Sequence, residues 1–211
     1  MHANVVMRAF VLMAVSLLAY SPVQAFPVKE CETRPDKPDA TADETAAKNK
    51  LSPLLQCTAP GDDRTACNVF LGRALEILFG NTDFKTGNGS YMLANDIANG
   101  LQMPGNAGWK KIGVATDQAA LDQAQSLANK GSPVVAARLG RLDDGVRRPG
   151  HVALILPGTS QQYDFDGFHW GGLSAPNSAS LFLDTPDRMF IGCPLSAVWI
   201  RPNDVGLYYK P

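Results

Sequence analysis

A chain of 211 residues with 45% hydrophobic and 18% charged side chains is long enough to enclose one core and too apolar to stay unfolded along its length. Its formal charge of −1, with no block of lysine and arginine, argues against a nucleic-acid binder or a protein held on an acidic membrane surface.

The N-terminus reads as a secretory signal. Arg8 precedes an apolar run from Ala9 to Tyr20, and Ser21-Pro22 leads to the small-residue site Val23-Gln24-Ala25. Cleavage after Ala25 leaves about 186 residues, with 18 basic against 20 acidic side chains. No later stretch approaches the roughly 20 apolar residues of a membrane helix. The mature protein is therefore expected to be soluble and exported, periplasmic or secreted, with no membrane anchor. Residues 26–50 are rich in Pro, Asp, Glu, Lys, Thr and Ala, and this composition predicts a flexible, exposed leader. The domain proper is expected from Leu51 to Pro211.

A first helix is predicted from Cys67 to Gly80, with Cys67, Leu71, Ala74 and Leu78 on one face and Asp63 or Thr65 as N-cap. A second covers Ser90 to Leu101, with Tyr91, Ala94, Ile97, Ala98 and Leu101 inward, and Pro104-Gly105-Asn106 breaks it. Trp109 to Val114 reads as a short strand or an extended entry. Asp117 caps a third helix through Asn129, and Gly131 stops it. Strands follow at Pro133–Leu139 and, after a polar loop from Leu142 to Gly150, at His151–Leu156. Alternation puts His151, Ala153 and Ile155 on one face of the latter and Val152, Leu154 and Leu156 on the other. Further strands are expected at Gln162–Phe165, Ser180–Leu183, Ser196–Arg201 and Val205–Tyr209. Helices first and an antiparallel sheet afterwards define an α+β domain.

Two residues carry the chemistry. Cys67 falls in the first turn of its helix, where unpaired N–H groups and the helix dipole lower a thiol pKa. His151 opens an apolar strand and supplies a base for the thiol. If the Ala153/Ile155 face receives the Cys67 helix, the two side chains meet. Four cysteines in an exported chain otherwise suggest two disulfides. With Cys67 free, Cys31–Cys57 is the favoured bridge, leaving Cys193 buried, and Cys57–Cys193 is the alternative. Asp164, Asp166 and His169, with His151, offer a competing metal cluster, but the run lacks calcium-loop spacing and a His-Glu-x-x-His helix. No metal is expected.

The chain resembles the papain-like peptidoglycan hydrolases, the CHAP amidases and their NlpC-type relatives. The resemblance runs from about Leu51 to the C-terminus. It rests on Cys67-Asn68-Val69-Phe70, Leu93-Ala94-Asn95, Trp109, Gly131-Ser132-Pro133-Val134-Val135-Ala136 and Gly150-His151-Val152-Ala153-Leu154. It implies a papain-like fold, with N-terminal helices packed on an antiparallel sheet, and cleavage of amide bonds in peptidoglycan. The cut falls between the glycan lactyl group and the first alanine, or within the stem peptide. Cys67 would attack, His151 would transfer protons, and no cofactor would be needed. Such sites usually hold a third polar residue that orients the imidazole; Asn177 is the leading candidate, with Asp164 and Asp166 as rivals. Asn68, Phe168, His169 and Trp170 are candidates for substrate contact, with core packing as the competing role of Trp170. The expected protein is a monomer whose partners are peptidoglycan and a candidate cognate inhibitor protein. The same chemistry could act on proteins or in isopeptide transfer. The reading from another class is a non-catalytic wall-binding or inhibitory module with Cys67 in a disulfide.

Overall fold

A computed structural model describes residues 42–56, 67–103, 105, 107–143, 146–162, 170–181, 189–199 and 202–211. Within them the chain forms an α+β domain built on a six-stranded sheet. Helix α1 (Ala42–Leu51) is followed by a 3-10 turn (Ser52–Gln56), α2 (Cys67–Phe79) and α3 (Ala94–Gln102). Strand β1 (Lys110–Val114), α4 (Gln118–Asn129) and β2 (Val134–Arg138) come next, then a small hairpin of β3 (Arg141–Asp143) and β4 (Val146–Arg148). The remainder is β5 (His151–Ile155), β6 (Asn177–Leu181), β7 (Met189–Pro194), the short α5 (Leu195–Val198) and β8 (Gly206–Tyr209). Spatial order is β1-β8-β2-β5-β6-β7, every pairing antiparallel.

Strand alternation divides the interior into two cores. Val135, Ala137, Val152, Leu154 and Leu156 point to the layer that holds α1, α2 and α3, where Phe70, Leu71, Leu75 and Ile97 meet them. Val134, Ala136, Ala153, Ile155 and Leu207 point the other way, to Leu121, Ala124, Trp170, Leu195 and Trp199. The large aliphatic and aromatic side chains of α2 fill the first layer. The alanine-lined face of α4 approaches closely enough to cover the second, where β2 and β5 themselves present Ala136 and Ala153. Inside α2, Gly72 lets the Tyr91 ring lie against the helix backbone, because a Cβ there would run into that ring. The Tyr91 hydroxyl then donates to Glu76 Oε1 at 3.0 Å.

Several expectations are corrected. The leader is not flexible to Lys50, because Ala42–Leu51 is helical and buries Glu44, Ala47 and Leu51. Its composition is polar, but tertiary contact with α2 and β7 supplies the apolar surface that the segment lacks. The second helix starts at Ala94 rather than Ser90. The polar loop before His151 contains the β3–β4 hairpin. Ser196 lies in a short helix rather than a strand, and the preceding strand is Met189–Pro194. Asp117 caps α4 as expected, accepting from the Ala119 amide at 3.0 Å. Cys193 is disulfide-bonded and Cys67 is free, which overturns the pairing of Cys31 with Cys57 that left Cys193 alone. Cys31, Cys57, Asp63 and Thr65 lie outside the described residues, as does most of the Gln162–Phe165 segment. Among the described residues, no helix is long and apolar enough to cross a membrane.

Candidate active site

Cys67 opens α2 and packs in the first core, 5% exposed. Three backbone amides point at its sulfur, those of Val152, Asn68 and Cys67 itself, and each favours the thiolate. Burial outweighs them and pushes the thiol from its ordinary 9.0 up to about 11. The expected depression by the helix N-terminus is thus reversed. Removing an anion from water is the larger effect where the sulfur has almost no solvent contact. The ground state of this cysteine is a protonated thiol.

His151 begins β5 directly opposite Arg138 of β2. Its ring packs edge-on against Trp199, with centroids 5.1 Å apart and an interplanar angle of 84°. Nε2 lies 2.9 Å from the hydroxyl oxygen of Ser180, and that hydroxyl donates to the Val152 carbonyl, also at 2.9 Å. Burial, reinforced by the Arg138 cation, pushes the imidazole from 6.5 down to about 3, so the ring is neutral at physiological pH.

The two residues do not share a face of the sheet, and the physical reason is the packing of α2. That helix covers the Val152/Leu154/Leu156 face, so Cys67 approaches from its layer. A Cβ on Gly150 would strike Asn95 of α3, which fixes the direction of the even-numbered positions independently. His151 alternates away from them and meets Trp199 in the second layer. The imidazole is on the Ala153/Ile155 face as expected, but that face receives α4 rather than α2. What joins the pair is the Val152 peptide edge. Its N–H points at the sulfur and its C=O accepts from Ser180, which holds the imidazole. Among the described residues the β5–β6 register extends only to Leu154↔Ala179, so the Ser180 side chain occupies a carbonyl that a longer ladder would use.

Asn177 is at the wrong end of β5 to orient His151. Its carbonyl accepts from the Leu156 amide, and its Nδ2 donates to Pro157 O at 2.8 Å. Five residues of extended strand separate Leu156 from His151, roughly 16 Å. The Asn177 amide N–H is held instead by Gln125 of α4 at 2.8 Å, in a network that joins α4 to this end of the sheet. Asn68 is buried, and its Nδ2 donates to Met92 O at 2.9 Å, tying α2 to the segment before α3. Trp170 is a core residue, 2% exposed, with its indole N–H on Trp199 O at 2.8 Å. Neither presents a surface to substrate. Asn95 has a structural role that its place in the motif did not reveal: Oδ1 accepts the Gly140 amide at 2.7 Å and anchors the turn after β2. Asp164, Asp166, Phe168 and His169 lie outside the described residues. Among those described, no three His, Cys, Asp or Glu side chains are grouped so as to hold a metal.

Ser180 and Trp199 are the neighbours of His151 that sequence reasoning missed. Ser180 fell inside a predicted strand, but a single serine carries no spacing signal. Trp199 reaches His151 from a segment 48 positions later in the chain. Compared with known proteins, the chain matches no family and no curated sequence.

Proposed function

We propose that this protein is an exported cysteine hydrolase of peptidoglycan amide bonds with a papain-like arrangement. Cys67 is its nucleophile and His151 its proton carrier. The observation that carries the reading is the Val152 edge, where a free helix-start sulfur and a neutral imidazole are gathered by the backbone of one residue and one hydroxyl.

Both reactants are neutral at rest, so the chemistry runs by general-base catalysis rather than from a standing thiolate. Cys67 Sγ attacks the substrate carbonyl carbon as its proton passes to the imidazole, and the Cys67 amide would donate to the developing oxyanion. One such donor is worth about 2.7–4 kcal/mol of barrier. The tetrahedral adduct expels the amine, which takes the proton from imidazolium and leaves a thioester on Cys67. Water, deprotonated by His151, attacks the thioester; the acid product departs and the sulfur recovers its proton. In the described conformation the imidazole faces Trp199, so proton transfer requires it to turn about its side-chain bonds toward the α2 layer. Residues 1–25 would direct export, and a monomer acting on the wall, subject to a cognate inhibitor protein, completes the proposal.

The second reading is a non-catalytic module of the same fold. The anchoring of His151 on Trp199 and Ser180 favours it, as does the burial of the Cys67 sulfur; a disulfide at Cys67 is no longer part of it. Mass spectrometry of peptidoglycan fragments after incubation with wild type, Cys67→Ala and His151→Ala separates the two. The hydrolase reading expects new amine and carboxyl ends with wild type only, and names the bond cut. Fragment patterns identical for all three folded proteins would establish the non-catalytic reading.

A further inference from the structure

We infer that α1 is a disulfide-stapled strap over the layer that holds Cys67, and that thiol–disulfide exchange at Cys193 releases the strap and uncovers the sulfur. The pairing follows from counting. The chain has four cysteines; Cys193 is bonded and Cys67 is free, so the partner of Cys193 is Cys31 or Cys57. One precedes α1 in the chain and the other follows it, so either bond ties the α1 segment to β7.

The same strand is shaped to receive α1. In the β6–β7 ladder Ser178 is opposite Cys193 and Ala179 opposite Ile191, which leaves Gly192 as the extra residue of a bulge, with a φ of 70°. A Cβ on Gly192 would run into the Lys48 side chain, and one on Gly158 would lie 2.8 Å from Glu44 Oε2. The Glu44 carboxylate, 3% exposed and paired with Lys48 Nζ at 2.9 Å, is thus seated against two glycines, one of them next to the bonded cysteine. Further along α1, Ala47 and Leu51 enter the core cluster that also holds Cys67, Phe70 and Leu71. These three side chains are all that α1 buries out of ten residues. A helix of that length is marginal by itself in water, so its order comes from docking, and the disulfide keeps the helix concentrated at its seat. A dithiol opens the staple without any other reactant. One of its thiolates attacks a sulfur of the disulfide, the second closes on the mixed disulfide, the reagent leaves as a cyclic disulfide, and its two protons end on the protein sulfurs.

The test compares the full chain, oxidised and after dithiothreitol, without denaturant. On reduction, hydrogen exchange at residues 42–51 should quicken at least about tenfold while β2 and β5 stay protected. Peptide mapping should show Cys67 alkylated by iodoacetamide at least about tenfold faster than in the oxidised protein. Cys193→Ser should behave like the reduced protein with no reductant present. Leu51→Ala, which weakens the seat with the disulfide intact, should fall between the two. Unchanged exchange at residues 42–51 after complete reduction overturns the strap. So does a joint loss of protection in α1 and β5, which would make the disulfide a support of the whole domain, and so does release of α1 with Cys67 labelled as slowly as before. If Cys193→Ser fails to fold, reduced wild type and Leu51→Ala decide the matter. Each readout is an exchange or alkylation rate, so the outcome is independent of whether Cys67 is a nucleophile toward peptidoglycan.

Discussion

Acidification should destabilise this protein through one buried imidazole. His151 takes up a proton near 6.5 when unfolded and near 3 when folded, because burial and then the Arg138 cation disfavour its charge. The stability gained by keeping the ring neutral is fully present above pH 6.5 and is lost as pH falls toward 3. Each pH unit in that window is worth about 1.4 kcal/mol, so at a pH of about 4.5 the loss is about 3 kcal/mol. The assay is urea unfolding at pH of about 7.5 and 4.5 for wild type and His151→Gln, whose amide cannot titrate but can still donate to Ser180. Carboxylates such as Glu76, held low by its bond to Lys85, titrate alike in both proteins and cancel in the comparison. Wild type should lose about 3 kcal/mol more than the variant over that interval. Equal losses would refute the reasoning, since they would mean that native His151 is either solvated or already charged.

Iodoacetamide should modify Cys67 in the folded protein at least about a hundredfold more slowly near neutral pH than in the unfolded chain, the rate climbing about tenfold per pH unit toward 11; a plateau below pH 9 would contradict the buried thiol. Asn177→Ala should lower stability by about 1–3 kcal/mol, because Pro157 O loses its partner, and leave kcat unchanged. A collapse of kcat with an unchanged thermal midpoint would return Asn177 to the catalytic role. Gly72→Ala should cost about 1–3 kcal/mol by forcing the Tyr91 ring off α2. Combined with Tyr91→Ala, it should add little further loss, and strict additivity in thermal unfolding would show that the two residues do not touch.

Much of the backbone follows from local chemistry. The apolar stripe of Cys67–Phe79, the Asp117 cap and the runs at Val134–Arg138 and His151–Ile155 each dictate their own element, because periodicity and capping act over a few residues. Composition misjudged Ala42–Leu51 for the complementary reason: a weakly amphipathic segment is ordered by the surface it docks on, which lies elsewhere in the chain.

Alternation along β5 established that His151 and Val152 point to opposite sides, but not which layer would receive α2. That choice depends on the volumes of α2 and α4 against each face of the sheet, a property of the assembled core. The same assembly sets the protonation states. A helix-start cysteine in isolation is acidified, whereas Cys67 is raised because packing removes its water faster than three amides compensate. Strand pairing then selects Ser180 over Asn177 as the neighbour of His151, since only registry converts distance in sequence into distance in space. Residue types fixed the chemical inventory and the local geometry of this chain; burial and registry, which are sums over distant contacts, fixed how that inventory is charged and which members meet.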